Sequence, residues 1–513
     1  MTRNELPEKS ASYWLDSLAA EQFPKLEHNL ETETVIVGGG IVGITAAYLL
    51  TKANIKTTLI DGDRLFNGTT GHTTAKITAQ HGLIYDELIR NIGEEKAALY
   101  YKANEQILKF MKQLITDHQI DCDYQEEDAY LYTNEASYEE KLRDEHKAYE
   151  KLGISGELSN SMPLDIPIKS VLKMPNQAQF HPLKYLKALT EEAVKNGLQI
   201  YEQTTAVDIE ETSDDHAVVV TRDEQRLSCR HVVIASHFPF WDKRGLLFAR
   251  IHPKRSYVLA VKSSFNYPGG MYITAESPSR SIRQVEIDGA EYLLVGGDSH
   301  KVGQGDAMIE HFEALQQFSK ETLHSEEIKY RWSAQDPITL DKVPYIGPIT
   351  GNHPNIHVAT GFGKWGMTQG TIAAKHITDL ILGNGSPYEE LYDPTRFEAD
   401  PSVKELASVN AEVAKHMIKG KLDMRKGEVS QLNQDEALIT RVSGQRTGIY
   451  KDDQDQLHAV DTTCTHLGCE VNWNSGERSW DCPCHGSRFS YTGEVLEGPA
   501  KEPLAKVDLD KIE

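Results

Sequence analysis

The stretch Thr34-Val-Ile-Val-Gly-Gly-Gly-Ile-Val-Gly43 determines the fold of the first part of this 513-residue chain. Its first four residues are a short, β-branched, apolar run, which predicts a buried strand of a parallel sheet. The run leads into a G-x-G-x-x-G pattern formed by Gly38, Gly40 and Gly43. An apolar segment continues to Leu50 and predicts a helix directly after the glycines.

A second strand and an acidic residue complete this unit. Residues 56–60 (Lys-Thr-Thr-Leu-Ile) form the next apolar run, and Asp61 stands at its end. The first two glycines permit a tight turn and close approach of the backbone to a pyrophosphate, while the third lets helix and strand pack. Asp61 is placed to bind ribose hydroxyls. The unit predicts a dinucleotide site, but the pattern alone does not separate FAD from NAD.

The last fifth of the chain carries two short motifs rich in Cys and His. They read Cys-Thr-His-Leu-Gly-Cys at residues 464–469 and Cys-Pro-Cys-His-Gly-Ser at residues 482–487. Each motif offers one thiolate and one imidazole, and both groups are metal ligands. A zinc ribbon is the alternative, although its ligand pairs are usually C-x-x-C. Here the pairs are C-x-H and C-x-x-H, with a spare cysteine in each motif.

The two motifs resemble the Rieske 2Fe–2S proteins of cytochrome bc complexes. The resemblance covers about residues 425–513 and includes Gly498-Pro499-Ala500, similar to the proline loop that covers the cluster in that family. It implies that two cysteines hold one iron and two histidines hold the other. The implied ligands are Cys464, His466, Cys482 and His485. It also implies a disulfide between Cys469 and Cys484.

The residues after the last ligand differ from this family in one position. The family typically has Gly-Ser-x-Tyr, with both hydroxyls donating to sulfurs of the cluster, whereas this chain has Ser487 and then Phe489. Donors to sulfur favour the reduced cluster. The resemblance therefore implies a potential below that of the bc-type relatives and above that of all-cysteine ferredoxins.

Several segments before residue 397 resemble FAD-dependent oxidoreductases of the D-amino-acid oxidase and glycine oxidase type. They are residues 12–14 (Ser-Tyr-Trp), 68–72 (Gly-Thr-Thr-Gly-His), 181–182 (His-Pro), 205–207 (Thr-Ala-Val), 336–347 and 359–368. The resemblance implies FAD rather than NAD. It also implies that the backbone of Val207 contacts adenine and that a C-terminal stretch with Gly361, Gly363 and Met367 contacts the flavin.

The chain departs from that family in ways that bear on chemistry. Residues 331–368 contain no cysteine, where some sarcosine oxidases attach flavin covalently, so we expect FAD to be bound non-covalently. His72 and Lys76 replace residues of the family's small-residue loop, and they face either the flavin and substrate or simply hold the loop. Lys364 and Trp365 replace small residues and bring a cation near the ring. The sequence names no catalytic base.

These patterns predict an α/β two-lobed flavoprotein followed by a small all-β Rieske domain. The expected FAD-dependent part is residues 1–385, with dinucleotide-binding segments at 33–85, 175–245 and 336–385. A mixed-sheet substrate lobe is expected at 86–174 and 246–335. A connector (386–424) with a helix over Val403–Ile418 precedes the Rieske domain at 425–513. We expect a helix within residues 86–119 and at 308–323, and strands at Gln199–Val207, 256–263 and 291–296.

Composition limits the partners and the location. The formal charge of −23 argues against nucleic acid, because binding phosphates requires a basic face. No apolar run approaches the roughly 18–20 residues of a spanning helix, and the start lacks an apolar signal region. We therefore expect a cytoplasmic protein. A disulfide at Cys469–Cys484 conflicts with a reducing compartment, and we expect burial at the cluster to protect it.

The combination predicts a flavin and iron–sulfur oxidoreductase. FAD would oxidise a small substrate, an amine or amino acid, and electrons would pass singly through the cluster to an unidentified acceptor. Three alternatives stay open: an oxidase that uses oxygen directly with a structural cluster, a redox sensor without turnover, and a monooxygenase-like enzyme. The last would need a 2-His-1-carboxylate iron site, which is not evident.

Overall fold

The computed structural model of the protein describes residues 6–19, 21–213, 216–242, 245–304, 308–396, 410–411, 413 and 429–508. The helices are α1 (Tyr13–Asp16), α2 (Ile41–Lys52), α3 (Tyr85–Ile92), α4 (Glu94–Asp117), α5 (Ala136–Leu152), α6 (Pro182–Lys195), α7 (Met308–Leu323), α8 (Gly366–Ile381) and α9 (Glu389–Tyr392). Among these described helices, none combines the length and apolar character needed to cross a bilayer.

The strands of the first 396 residues are β1 (Leu30–Glu31), β2 (Thr34–Val37), β3 (Thr57–Ile60), β4 (Lys76–Ile77), β5 (Gln125–Thr133), β6 (Glu157–Ser159), β7 (Ser170–Gln179), β8 (Gln199–Tyr201), β9 (Ala206–Ser213), β10 (His216–Thr221), β11 (Arg226–Cys229), β12 (His231–Ile234), β13 (Ile251–Ser263), β14 (Met271–Thr274), β15 (Arg280–Ile287), β16 (Ala290–Lys301), β17 (Ser325–Thr339), β18 (Tyr345–Pro348) and β19 (Ile356–Thr360). The C-terminal strands are β20 (Glu436–Val442), β21 (Gln445–Lys451), β22 (Leu457–Asp461), β23 (Asn472–Asn474), β24 (Ser479–Asp481), β25 (Arg488–Ser490) and β26 (Val495–Glu497).

A six-stranded sheet forms the centre of the dinucleotide-binding lobe. Its order is β18-β19-β12-β2-β3-β8, and all neighbours are parallel except β18 and β19. The four residues of β2 are all buried, as expected for a strand covered on both faces. Helix α2 follows β2 and packs against α6 and α8. A four-stranded sheet, β1-β11-β10-β9, extends this lobe.

A nine-stranded mixed sheet forms the second lobe. Its main path is β17-β13-β16-β15-β14-β5-β7-β4, with β6 paired to β7. The long strands β13 and β17 are antiparallel along nearly their whole length, from the Ile251–Thr339 pair to the Ser263–Ser325 pair. Helix α7 packs on this sheet. Side chains of both strands contact the C-terminal domain: Arg255 of β13 pairs with Glu477, and Gln335 of β17 donates to the carbonyl oxygen of Gly486.

The C-terminal domain is built from two small antiparallel sheets, β20-β21-β22 and β23-β24-β25-β26. Trp480 is fully buried between them, and a side chain at Gly448 would meet its ring at 2.5 Å. Glycine at this position lets the two sheets approach closely. The α/β two-lobed flavoprotein fold and the all-β C-terminal domain that the sequence predicts are confirmed.

The local predictions hold in type and differ at boundaries. The helix expected within residues 86–119 is two helices, α3 and α4, because Gly93 adopts a φ of +85° between them. The strand expected over Gln199–Val207 ends at Tyr201, and residues 202–205 form a loop before β9. Helix α7 and strands β13 and β16 contain the segments predicted for them. The connector helix predicted at Val403–Ile418 lies outside the described residues.

Candidate functional site

The glycine turn after β2 is shaped by contacts that leave no room for side chains. Gly38 has a φ of +114°, and a Cβ there would meet the Ala235 oxygen at 2.5 Å. A Cβ at Gly43 would collide with the Gly38 carbonyl oxygen, so only glycine lets α2 pack on the turn. A Cβ at Gly40 would meet the side chain of Thr70 at 2.9 Å.

Asp61 is tied to this turn. Its carboxylate accepts a 2.6 Å hydrogen bond from the Gly39 N–H and a 2.8 Å bond from the Asp63 N–H. Burial raises the pKa of Asp61 to about 6, although both N–H donors act to lower it. At the start of α2, the Ile41 N–H donates to the hydroxyl of Thr70 at 3.1 Å. The end of β3 and the start of α2 therefore face one space.

That space is a cavity of about 970 Å³, which runs between the two lobes and beneath the C-terminal domain. Its walls include the glycine turn with Asp61, the segment from Phe66 to Lys76, the sheet strands β13, β16 and β17, the turn before α8, and residues within 203–206 and 235–240. The C-terminal domain adds Glu477, Arg488 and residues 495–501 to the wall.

Five of the residues predicted to bind FAD line this cavity: Gly38, Gly40, Asp61, Gly363 and Met367. The other three are not part of its lining. Gly43 packs α2 against β2, and Gly361 (φ +81°) lies against Thr339. The carbonyl oxygen of Val207 accepts a 2.7 Å hydrogen bond from the Nζ of Lys501, which does line the cavity.

Lys76, Lys364 and Asp336 also line the cavity, and burial shifts the pKa of each. Burial lowers the pKa of Lys76 to about 7, with further lowering from Arg283 and Lys364. Burial also lowers the pKa of Lys364, whose Nζ donates to the hydroxyl of Ser299 at 3.0 Å. Burial raises the pKa of Asp336 to about 7. Lys76 makes no ion pair with a carboxylate within the described part of the chain.

For His72 and Lys76, the sequence left two roles open: contact with the flavin and substrate, or support of the loop. Their surroundings in the structure differ. His72 lines the cavity, and its Nδ1 lies 2.9 Å from the Gly68 oxygen, so it also braces its own loop. Among the described residues, the side chain of Lys76 has no such bond to its own loop. Trp365 lines the cavity and stacks on His81 at 4.5 Å between ring centroids, which closes this part of the wall with apolar surface.

The structure brings the four predicted cluster ligands together in the C-terminal domain. Cys464 and Cys482 are buried, and the rings of His466 and His485 lie 5.0 Å apart. Burial lowers the pKa of both imidazoles to about 4, which leaves them neutral with a free nitrogen lone pair. Two thiols and two neutral imidazoles are the donor set that a Rieske cluster requires.

The surroundings of the thiols fit the same group. The Cys482 side chain lowers the pKa of Cys464 to about 7 against the effect of burial, and the His466 N–H and the Ser487 side chain lower it further. Cys469 and Cys484 form a disulfide that joins the two ligand loops, and the Cys482 sulfur lies within 4.8 Å of both of its sulfurs.

The ligand loops contact the flavin-binding part of the chain directly. The ring of Phe248 packs edge-on against both imidazoles that the sequence predicts as ligands, at 5.5 Å from His466 and 5.4 Å from His485. The backbone N–H of Phe248 donates a 2.7 Å hydrogen bond to the Asp242 carboxylate, and this bond fixes the loop that carries the ring.

A buried network of ion pairs holds the domains together. Arg255 on β13 pairs with Glu477, and Arg488 pairs with the same carboxylate at 2.5 Å. Burial acts to raise the pKa of Glu477, but Arg255 and Arg488 outweigh it and lower the pKa to about 2. Sequence reasoning missed these residues, because Arg255 and Glu477 lie 222 positions apart and belong to no motif.

Two family models match the chain. The FAD dependent oxidoreductase model (DAO) matches residues 33–380, and the Rieske [2Fe-2S] domain model matches residues 424–508. A Bacillus subtilis (strain 168) protein named as a Rieske 2Fe-2S iron-sulfur protein, YhfW, is 47% identical over 506 residues. That alignment covers 99% of this chain and 98% of the relative.

Other relatives cover one part each. The cytochrome b6-f complex iron-sulfur subunit 1 of Nostoc sp. is 39% identical over 84 residues, which are 15% of this chain and 47% of the subunit. Glycine oxidase from Geobacillus kaustophilus has a TM-score of 0.60 at 18% identity, covering 72% of this chain and 99% of that structure. L-proline dehydrogenase from P. horikoshii has a TM-score of 0.58 at 19% identity, covering 72% and 98%.

The structural likenesses describe the fold, while the family matches and the full-length relative identify the domains. The first domain implies FAD as a cofactor, and the second implies a 2Fe–2S cluster. The chain therefore belongs to the FAD-dependent oxidoreductase family and carries a C-terminal Rieske [2Fe-2S] domain.

Proposed function

We propose that this oxidoreductase oxidises a small amine or amino acid with FAD and passes the electrons one at a time through its Rieske cluster to an external acceptor. One observation carries the proposal. The cavity assigned to FAD and substrate has residues of the Rieske domain in its wall, and the ligand loops of the cluster pack against the opposite side of the same wall.

The cofactors would be held by residues that fit them. For FAD we propose Gly38, Gly40, Asp61, Gly363 and Met367 at the cavity wall, with Gly43, Val207 and Gly361 shaping the turns around it. For the cluster we propose Cys464, His466, Cys482 and His485 as ligands. The described residues that line the cavity include no cysteine, which supports non-covalent FAD. Denaturation should then release all of the flavin into solution.

The charged groups in the cavity support an amino acid rather than a neutral amine. Lys76 and Lys364 offer two cations to a carboxylate, and Asp336 offers an anion to an ammonium group. The hydroxyl of Ser256 donates to Asp336 at 3.2 Å and fixes the carboxylate. Relatives in fold include a glycine oxidase and an L-proline dehydrogenase. We propose the same substrate class here.

When bound, FAD supplies two-electron chemistry and the cluster supplies one-electron transfer. The contribution of the chain would be to orient the substrate, exclude water and connect the two sites. Trp365 and the Rieske residues 495–501 cover the cavity, and this strengthens the electrostatic interactions inside it. Lys76 is held with a pKa near neutrality, so its amine is suited to exchange a proton with a substrate amine at Nζ.

The connection between the sites would run through β17. Gln335 lines the cavity, and its Nε2 donates a 2.8 Å hydrogen bond to the carbonyl oxygen of Gly486. Gly486 is bonded covalently to the proposed ligand His485. One side chain therefore separates the cavity from the ligand loop.

Anaerobic photoreduction tests this function. The flavin is reduced by light with a sacrificial donor, and the cluster is followed by its visible bands and by electron paramagnetic resonance. We expect cluster reduction to follow flavin reduction within the same chain and at a rate independent of protein concentration. A cluster that stays oxidised for minutes, despite a favourable potential difference, would instead support a direct oxygen-using oxidase.

We also propose the domain limits 1–385, 386–424 and 425–513, supported by the family matches at 33–380 and 424–508. The electron acceptor and the cytoplasmic location stay predictions from the sequence.

A further inference from the structure

The Rieske domain covers the cavity in which we propose that FAD binds. Its residues Glu477, Arg488 and 495–501 line the cavity together with the glycine turn and Asp61. Arg488 begins strand β25, Glu477 lies in the turn before β24, and residues 495–501 comprise β26 and the proline loop Gly498-Pro499-Ala500. A dinucleotide in the cavity would therefore have the flavin lobes on one side and the Rieske domain on the other.

The covering residues are bonded to the rim. The Nζ of Lys501 donates to the Val207 oxygen at 2.7 Å, and the guanidinium of Arg222 donates to the carbonyl oxygen of Lys501. Val207 follows the cavity-lining residues Thr205 and Ala206. The loop is therefore attached across the end of the cavity nearest Asp61.

Close packing fixes the docked position elsewhere. The Gly303 backbone lies against the ligand loop, so that a Cβ at Gly303 would come within 2.7 Å of the backbone of Pro483. Glu477 forms a buried ion pair with Arg255 and accepts a hydrogen bond from the hydroxyl of Ser333. Opening of the interface would separate Arg255 from Glu477, whereas Arg488 of the same domain would stay paired with Glu477.

We infer that the Rieske domain forms the outer wall of the FAD site, and that FAD leaves or enters only when this domain moves off the flavin lobes. The inference rests on the assignment of the cavity to FAD, and it does not depend on electron transfer or on the substrate. By linkage, bound FAD and the docked Rieske domain stabilise each other to the same extent.

Two matched glycine variants test the inference in the full-length holoprotein. Gly303→Ala strains the docking without altering the cavity lining, because Gly303 is outside it. Gly289→Ala is the control, since Gly289 has a similar positive φ (+75° against +66°) and no atom within 4 Å of its Cβ position. FAD release is followed by the fluorescence of free flavin after dilution into FAD-free buffer.

We expect Gly303→Ala to release FAD several-fold faster than the control, because weaker docking raises the population of the undocked state from which FAD leaves. Lys501→Met should also accelerate release, whereas Lys506→Met, at an exposed position of the same domain, should not. Release at the control rate in both Gly303→Ala and Lys501→Met would overturn the inference.

Hydrogen exchange gives a second measurement that does not depend on how a variant folds. Wild-type protein stripped of FAD should take up deuterium faster than holoprotein in peptides covering 476–501 and 253–256. Equal uptake in these peptides with and without FAD would also overturn the inference. Loss of electron transfer in the photoreduction experiment would leave both results unaffected, so the two proposals fail separately.

Discussion

The side-chain amide of Gln335 donates a 2.8 Å hydrogen bond to the carbonyl oxygen of Gly486, the residue after the proposed ligand His485. Gln335 is fully buried and belongs to the cavity wall. Among the described residues, this bond is shorter than the 3.1 Å hydrogen bond from the Ala500 N–H to the Ser487 hydroxyl, which also joins the cavity lining to this loop.

Gln335→Leu should slow the reduction of the cluster after photoreduction of the flavin, because it removes the link and leaves the Gly486 carbonyl unpaired. The unpaired buried group should cost about 1–3 kcal/mol of stability. Gln304→Leu is the matched control, since it removes a 3.3 Å bond to Pro483 from a residue outside the cavity lining. Equal rates in both variants would contradict a role for Gln335 in the connection.

Cys482→Ser should abolish the cluster while flavin stays bound, because the ligand set belongs to a domain with its own core. Acid-labile sulfide, iron content and the resonance spectrum measure the loss. Cys122→Ser is the control, as Cys122 is a buried free thiol in the flavin lobes. Intact wild-type protein that contains zinc and no labile sulfide would refute the ligand assignment.

Gly40→Val should empty the FAD site and leave the fold intact. The added Cβ meets the side chain of Thr70 at 2.9 Å, and the methyl groups of valine fill space that the pyrophosphate needs. Gly43→Ala should behave in the opposite way and destabilise the protein, because its Cβ collides with the Gly38 carbonyl. Flavin absorbance after gel filtration and thermal unfolding separate the two effects. Full flavin content in Gly40→Val would show that the cofactor lies elsewhere.

Lys76 should make the binding of a carboxylate dependent on pH. Its pKa of about 7 means that it is a cation below pH 7 and neutral above it. The dissociation constant of acetate, measured by perturbation of the flavin spectrum, should rise about tenfold per pH unit above 7. Lys76→Arg should keep only the part of this dependence that comes from ionisation of Asp336, whose pKa is also about 7, and Lys76→Met should bind acetate weakly throughout. A flat profile in the wild type would contradict the prediction.

The same pKa sets the sign of a stability effect. The folded-state pKa of Lys76 lies below its ordinary value of about 10.4, so the unfolded chain binds more protons between these values. The contribution of Lys76 to stability in ligand-free protein therefore increases as the pH rises from about 7 towards 10. Lys76→Met should remove this contribution from the pH dependence of unfolding.

Phe489→Tyr should raise the potential of the cluster if its hydroxyl reaches a sulfur. Phe489 is fully buried in the same core cluster as Cys464 and Cys482. A bond to a charged group contributes about 1.5–3 kcal/mol, or roughly 60–130 mV at most for one electron. Ser487→Ala should lower the potential, because it removes the donor to Cys464. Voltammetry at one pH checks both signs, and no change in either variant would contradict the geometry.

The parts of the site that could be predicted from sequence are those formed by neighbouring residues. The glycine turn and Asp61 are separated by one helix and one strand, and their spacing is dictated by backbone geometry. The ligand pair Cys482 and His485 sits in one loop. Such features leave a pattern in the sequence because a few adjacent residues determine them.

The residues that dock the C-terminal domain onto the flavin lobes form no such pattern in the sequence. Arg255 and Glu477 are brought together only by the packing of two separately formed sheets, and either residue alone is typical of a solvated surface. The role of Lys501 at Val207 was hidden for the same reason. The break between α3 and α4 depends on the positive φ of Gly93, and the apolar spacing of the two helices does not reveal it.

The contact of Phe248 with both ligand imidazoles also bears on how the protein matures. In the docked arrangement, the Phe248 ring packs against His466 and His485, the proposed histidine ligands. We expect the docked Phe248 ring to slow cluster insertion, so that insertion precedes docking. Chemical reconstitution of cluster-free protein should accordingly be faster in Gly303→Ala than in Gly289→Ala.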